Sequence, residues 1–436
     1  MDFDLTDKQY EAYLDMKNGL NIFITGPAGT GKSFLLNKFI EDHNDNKEAD
    51  VKKTLYITSL TGISAQILKG TTLHSFAGIG LGNNTIDYYV NKIRKNSEIY
   101  HRWKQIETLI IDEVSMLTSE LYEKLELLAR LLRKNDKPFG GIQIILSGDF
   151  LQLPPVNSDN FCFESSVWKA IVNKTYYFEK IIRQSNTEFQ NVLNKIRIGV
   201  VDEEVKNLLD SRLIKNLSEL ESKDTNIKPT ILLSKKDKVK EYNFREQEKL
   251  LFKNTPHKYT KKYIYVNIKE ETKEMYHLLI NKIIDIDDNQ IFTIGSQVML
   301  VVNKPDDGLA NGSLGKIIGF NNNFPIVKFL NGVEKRITKH TWSLQDEEKQ
   351  FSKEPNIKVE QIPLIPAWAI TIHRAQGSTL EYVLTDIGNS IFEYGQAYVV
   401  LSRIKKIEGL QLLNINYSKI RANPKILAYY ESLNEK

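Results

Sequence analysis

The 436-residue chain holds one cysteine, Cys162. That excludes an internal disulfide and any zinc or iron–sulfur centre built on a cysteine cluster. Net charge is nearly absent too: 59 Lys and Arg against 55 Asp and Glu leave +4. A bulk-basic polyanion binder is thereby excluded, so any such contact must come from local clustering. No apolar run approaches the ~18 residues a membrane-spanning helix needs. The acidic start Met1-Asp2-Phe3-Asp4 lacks the apolar centre of a secretory signal. An intracellular protein with no membrane partner is expected. Apolar residues are plentiful, at 41% of the chain beside 26% charged, which excludes wholesale disorder. At about 150 residues per domain, the length predicts roughly three domains.

Short apolar runs alternate with amphipathic stretches over the first 180 residues. Asn21–Thr25, Leu55–Thr58, Leu109–Asp112 and Ile142–Ser147 read as buried strands. Ser33–Glu41 and Leu121–Arg133 read as helices, the second with Leu121, Leu125, Leu128 and Leu132 in one stripe. That alternation predicts a parallel sheet covered by helices. A polar insertion with Tyr88, Tyr89, Lys92, Arg94 and Lys95 interrupts it at 79–100. From about Thr175 a second alternation begins: Thr175–Phe178 is strand-like, Phe189, Val192, Leu193 and Ile196 form a helical stripe, and Thr230–Leu233 is a strand. Residues 251–360 break the pattern. Gln297–Val302, Lys316–Phe320 and Ile326–Phe329, with turn signals Asn311-Gly312 and Asn331-Gly332, predict antiparallel β units. The Lys258–Lys269 run reads as a solvated face. The alternation resumes at Leu380–Ile387, Gln396–Ser402 and Leu410–Leu413.

Gly26-Pro27-Ala28-Gly29-Thr30-Gly31-Lys32-Ser33 matches G-x-x-x-x-G-K-[ST], after a strand and at the start of a helix. Such a loop wraps a phosphate, with backbone N–H groups pointing inward at a helix N-terminus. Lys32 would neutralise the β- and γ-phosphates and Ser33 would ligate Mg²⁺. Leu109-Ile110-Ile111-Asp112-Glu113 is a strand ending in two carboxylates. Beside a phosphate loop, Asp112 is the expected second Mg²⁺ ligand and Glu113 the group that activates water. Gln152, beyond the strand ending at Ser147, can sense the γ-phosphate.

Ile111-Asp112-Glu113-Val114-Ser115-Met116, followed by Gly148-Asp149-Phe150-Leu151-Gln152-Leu153-Pro154-Pro155-Val156, resembles superfamily 1 DNA helicases, above all their Pif-type branch, with RecD and Dda as more distant kin. Thr72-Leu73-His74-Ser75-Phe76-Ala77-Gly78 looks like that branch's strand-contacting segment. Glu179-Lys180-Ile181-Ile182-Arg183-Gln184 looks like motif IV, and Ile370-Thr371-Ile372-His373-Arg374-Ala375-Gln376-Gly377 like motif V. Gln396-Ala397-Tyr398-Val399-Val400-Leu401-Ser402-Arg403 looks like motif VI, although Ile404-Lys405-Lys406 departs from the usual continuation.

The resemblance implies two tandem RecA-like P-loop NTPase domains of the α/β class. The first would take 1–78 and 101–178, and the second 179–250 and 361–436. Residues 79–100 would be a duplex-splitting wedge and 251–360 an SH3-like β insertion. Leu5-Thr6-Asp7-Lys8-Gln9 resembles an adenine-reading segment, with Gln9 on the base; Thr6 as a helix N-cap is compatible with that role. Gly377 joins the implied ATP contacts. Arg183 and Arg403 would stabilise charge on the transferring phosphoryl group. They would come from the second domain, so that hydrolysis requires closure. Thr61, His74, Ser75, Phe76 and Pro155, with Ser234, Lys235, His373 and Gln376, are the implied DNA contacts. Hydroxyls and Lys235 would hold phosphates, and Phe76 would stack on a base. The implied activity is ATP- and Mg²⁺-dependent unwinding, 5′ to 3′, by a monomer on single-stranded and forked or tailed DNA. Its setting would be replication, recombination, repair or telomere and G-quadruplex maintenance, with accessory single-strand-binding or replication proteins. Alternatives are a helicase for RNA or hybrids, an ATP-driven nucleoprotein remodeller and a hexameric assembly ATPase.

Overall fold

The structure, a computed structural model, describes residues 5–45, 54–60, 64–65, 68–80, 82, 84–155, 158–214, 230–284, 286–302, 304, 307–309, 312–343, 356–376, 379–380 and 382–434. The chain forms two compact units, Met1–Ile214 with Ile372–Lys436, and Lys215–Thr371.

A six-stranded parallel sheet organises the first unit. Its strands are β1 (Ile22–Thr25), β2 (Thr54–Ser59), β3 (Thr71–Thr72), β4 (Ile106–Asp112), β5 (Gln143–Ser147) and β6 (Lys174–Tyr177). They lie in the order β3-β2-β4-β5-β1-β6. Period-two alternation sends successive side chains to opposite faces. Ile22, Ile24, Ile110 and Ile145 pack with Ala12, Met16, Leu35 and Leu36 on one face. Phe23, Leu109, Ile111, Ile144 and Leu146 pack with Leu125, Leu128 and Leu132 on the other. Strands buried on both faces read as continuous apolar runs, which is why the sequence exposes them. β6 pairs with β1, so the strand at Thr175 completes the first sheet instead of opening a second one. The C-terminal helix Pro424–Asn434 returns to this core through Ile426 and Tyr430.

Among its described residues, the insertion at 79–100 carries one helix and begins a second. Thr85 caps Ile86–Lys95, Asn96 caps Ser97–Gln105, and Tyr89, Val90 and Ile93 are buried. Val383–Ile387 and Leu410–Ile415 pair in parallel, followed and preceded by the helix Gln396–Ser402 as expected.

In the second unit Thr230–Leu233 pairs in parallel with Ala369–Thr371. An antiparallel five-stranded sheet runs Glu334–Arg336, Phe324–Phe329, Leu314–Asn321, Gln297–Leu300 and Leu364–Pro366. Its core includes Val298, Leu300, Ile317, Val327 and Phe329. The Lys258–Lys269 run is not a uniformly solvated face. It supplies two strands, His257–Thr260 and Lys262–Val266, with Tyr259 buried and Lys261 buried against Asp288 at 3.1 Å. Among the described residues, no helix is long and apolar enough to cross a membrane.

Candidate nucleotide site

The phosphate loop leaves the C-terminal end of β1 and enters the helix Lys32–Asp45. Parallel strands direct such loops to one edge of the sheet, where ligands of open α/β sheets bind. Gly29 has φ +82°, and a Cβ there would stand 2.5 Å from the Arg183 Cβ. Gly31, at φ +86°, would collide with the Gln9 amide at 2.6 Å. Glycine at these positions lets two other segments close on the loop. Ile182 and Arg183 donate their backbone N–H groups to the Gly29 carbonyl at 2.8 and 3.2 Å.

Lys32 donates to the carbonyls of Gly26 at 2.7 Å and Pro27 at 2.9 Å. Burial drops its pKa to about 8, against the pull of Asp149 and Glu113. Thr30 folds its hydroxyl onto the Pro27 carbonyl at 2.9 Å. The backbone N–H of Ala28 donates to the Tyr398 hydroxyl at 2.8 Å. Ser33 is exposed on the first turn of the helix.

Asp112 ends β4 and is buried, while Glu113 follows with φ 56° and ψ 43°. A non-glycine residue in the left-handed region costs of order 1–3 kcal/mol and is retained where the surroundings enforce it. Burial, then repulsion from Glu113, raises the Asp112 pKa. Glu113 accepts a hydrogen bond from the Gln376 Nε2 at 3.0 Å. Gln376, expected among the DNA contacts, thus meets the Glu113 carboxylate.

Arg183 and Arg403 converge in the same unit. Arg183 donates to the Ser402 carbonyl at 3.0 Å. Arg403, 2% exposed, donates to Val399 O at 3.0 Å, Ser402 Oγ at 2.9 Å and Gln152 Oε1 at 3.4 Å. No carboxylate forms an ion pair with either guanidinium among the described residues. Burial and then the charge of Arg403 lower the Arg183 pKa to about 9; burial lowers that of Arg403. Half-buried Arg183 and buried Arg403 repel each other and form no ion pair among the described residues, an arrangement suited to an anion.

Gln9 ties the Thr6 cap to the phosphate loop. Its Oε1 accepts from the Thr6 N–H at 3.0 Å in a capping box, and its Nε2 donates to the Thr30 carbonyl at 3.1 Å. One amide hydrogen remains for a ligand.

The expected DNA residues divide. Phe76 cannot stack on a base: it is 0% exposed, packed between Tyr56 at 5.2 Å and Trp103 at 5.1 Å. Its place on the inward side of the short helix Leu73–Ala77 makes it core. His74 and Ser75 are half-buried on that helix, and burial lowers the His74 pKa. Pro155 is buried. In the other unit Ser234 and the exposed Lys235 follow the strand Thr230–Leu233. Thr61, Gly377 and the side chain of His373 lie outside the described residues.

Several site residues carry no assigned role in the motif reading. Gln184 donates to Ile404 O at 2.6 Å and Ser402 O at 3.3 Å, tying the Arg183 and Arg403 segments together. Arg197 and Asp149 form a buried two-bond pair at 2.9 and 2.7 Å. The Tyr430 hydroxyl joins Asp149 to Thr25 Oγ1, at 3.2 and 2.7 Å. Gln184 and Tyr398 sit inside quoted motifs, which is the one signal the sequence offers for them.

A PIF1-like helicase family model matches residues 4–207. Along its whole length the structure resembles the crystal structure of the Pif1 helicase from Candida albicans: TM-score 0.80, 33% identity, 99% of each chain covered. The chain belongs to the Pif1-like helicase family. It is also similar to a Bacteroides Pif1 helicase in complex with ADP-AlF3 and single-stranded DNA, with a TM-score of 0.70, 28% identity, and 100% of this chain and 98% of that one covered. The ATP-dependent DNA helicase PIF1 of Xenopus laevis is 35% identical over 95% of this chain. The alignment spans 62% of that relative's length.

Proposed function

We propose that this Pif1-family protein is an ATP-dependent DNA helicase that moves 5′ to 3′ on single-stranded DNA and opens forked or tailed duplex. The observation that carries it is the pair of guanidiniums of half-buried Arg183 and buried Arg403, neither in an ion pair among the described residues, beside the Lys32 loop and Glu113. The γ-phosphate is the anion such a pair fits. The Bacteroides relative bound to a phosphoryl-transfer mimic and single-stranded DNA supports the substrate pair.

Loop amides and Lys32 hold the β- and γ-phosphates. Glu113 takes a proton from the attacking water. Arg183 and Arg403 stabilise the charge that develops on the phosphoryl oxygens and bridging oxygen. Gln152, hydrogen-bonded to Arg403, carries the presence of the γ-phosphate to the Pro154-Pro155 loop. The residues also fit Mg²⁺. Buried Asp112 forms no ion pair among the described residues, the Ser147 hydroxyl lies beside it, and Ser33 is exposed. No group of three or more His, Cys, Asp or Glu could hold a metal alone among the described residues. That is the habit of a cation shared with substrate phosphates. Asp112 and Ser33 would hold it, and it would supply charge neutralisation on the phosphates.

His74, Ser75, Ser234 and Lys235 remain the proposed DNA-responsive residues, with backbone phosphates the sequence-neutral target. The helical insertion is proposed as the wedge. Keeping strands apart opposes about 1.4 kcal/mol of stacking per step. Domain boundaries near residues 178, 250 and 360, a monomeric state and accessory replication partners are part of the same proposal. The test is ATP turnover alone, with single-stranded DNA and with single-stranded RNA. DNA-selective stimulation is expected. Stimulation by RNA alone would reject the DNA assignment, and absence of turnover would reject the enzyme.

A further inference from the structure

We infer that Gln376 is a positioning residue for the hydrolytic water, holding the Glu113 carboxylate with one end of its amide and the water with the other. Resting on the ATPase reading above, this moves Gln376 from the DNA to the reaction.

The geometry leaves little choice of orientation. An ionised carboxylate only accepts hydrogen bonds, so the nitrogen of the amide must face it. Nε2 of Gln376 donates to Oε2 of Glu113 at 3.0 Å. The amide oxygen then points elsewhere, and it is buried without a hydrogen-bond partner among the described residues, on a side chain 1% exposed. A buried acceptor left empty costs about 1–3 kcal/mol. It persists where a ligand fills it in the working state. The backbone behind it is ordered as the short helix Ile372–Ala375. Glu113 is held from its own side by its left-handed backbone.

Water has two hydrogens, and the two acceptors on this pair match them. One proton goes to Glu113 as the water oxygen forms its bond to the γ-phosphorus. The other hydrogen is held by Gln376 Oε1 and stays on the product phosphate. The bond from the γ-phosphorus to the bridging oxygen breaks and its electron pair leaves on ADP. Arg183 and Arg403 both lie within electrostatic reach of Glu113, so the water sits where the phosphoryl group must be. A carboxylate alone fixes one direction of approach; the amide fixes the second, which sets the line of attack.

The reaction residue and the DNA-contact residue predict different variants. Gln376→Ala should lower kcat about 100-fold, since a misplaced reacting group costs on that order. KM for ATP and affinity for a fluorescein-labelled dT16 strand, read by anisotropy, should stay within about threefold. Gln376→Met keeps the packed volume and should show the same split, which covers the case where the alanine variant unfolds. Gln376→Glu, which keeps an acceptor but loses the donor to Glu113, should not rescue kcat. Unchanged kcat without DNA, together with weaker dT16 binding, would overturn the inference and return Gln376 to the DNA. Wild-type protein without turnover would instead sink the ATPase reading itself.

Discussion

Replacing Arg197 by alanine should destabilise the first unit by about 3–5 kcal/mol, the cost of stranding one partner of a buried pair. Arg197 is 4% exposed and Asp149 0%. Two bonds join them, Nε to Oδ2 at 2.9 Å and Nη2 to Oδ1 at 2.7 Å. The guanidinium also donates to the Tyr177 hydroxyl at 2.9 Å and lies 5.2 Å from the Tyr430 ring centre. Without Arg197 the Tyr430 hydroxyl and the Leu151 N–H still bond to Asp149. Neither neutralises a charge. In a thermal melt the loss corresponds to a Tm drop of about 5–15 °C. Acid provides an internal check. Burial pushes the Asp149 pKa up, but Arg197 outweighs it and the net shift is downward. In wild type the pair's contribution is present above the ordinary carboxylate range and lost as pH falls through the depressed value. In Arg197→Ala burial, the largest influence on Asp149, is opposed only by Lys32 and by hydrogen bonds such as that from the Leu151 N–H, so the folded pKa rises and the penalty applies to the ionised form. The deficit should therefore be largest near pH 8 and shrink toward pH 4–5. An equal deficit at both pH values, or one below about 1 kcal/mol at pH 8, would show that Asp149 does not depend on Arg197 for its charge.

Arg183→Ala should bind a fluorescent ATP analogue within a few-fold of wild type yet hydrolyse ATP about 10³-fold more slowly, the scale of an arginine finger; lost nucleotide binding would contradict the role. ATP affinity should weaken above pH 8. Unliganded Lys32 titrates at about 8, the triphosphate favours its charged form, and binding must then take up a proton. By pH 9 the loss should approach tenfold, about 1.4 kcal/mol, and a flat pH dependence of affinity would count against the buried-ammonium argument. Phe76→Ala should cost about 3–5 kcal/mol of stability with dT16 affinity unchanged in the folded fraction; the reverse pattern would restore base stacking.

What the sequence discloses depends on the distance over which a residue acts. The loop Gly26–Ser33 and the acids Asp112-Glu113 are legible because strand, loop and helix needed for their chemistry lie within a dozen residues. Strands of the first sheet are legible for a related reason: burial on both faces leaves apolar runs such as Leu109–Ile111. Gln376 and Glu113 are 263 residues apart, and no local pattern tells an amide that it will face a carboxylate. Motif context supplies the neighbourhood of Gln376 but not the direction of its side chain. The same holds for Arg197, one charge in an ordinary amphipathic helix until Asp149 is brought to it. Phe76 fails in the opposite sense. Its neighbours His74 and Ser75 are half-exposed, but helical spacing turns Phe76 inward onto Trp103. Residues 251–290 resist reading because their strands are short and lysine-rich, with Lys261 neutralised by an aspartate 27 positions away.

On the proposed function, this site hydrolyses ATP to open DNA with a set polarity. The most direct measurement is strand separation of two matched duplexes, one with a 5′ single-stranded tail and one with a 3′ tail, by wild-type protein and by Lys32→Ala. Wild type should open only the 5′-tailed duplex, only with ATP, and Lys32→Ala should open neither. Opening by Lys32→Ala, or ATP turnover by wild type with both duplexes left intact, would contradict that function.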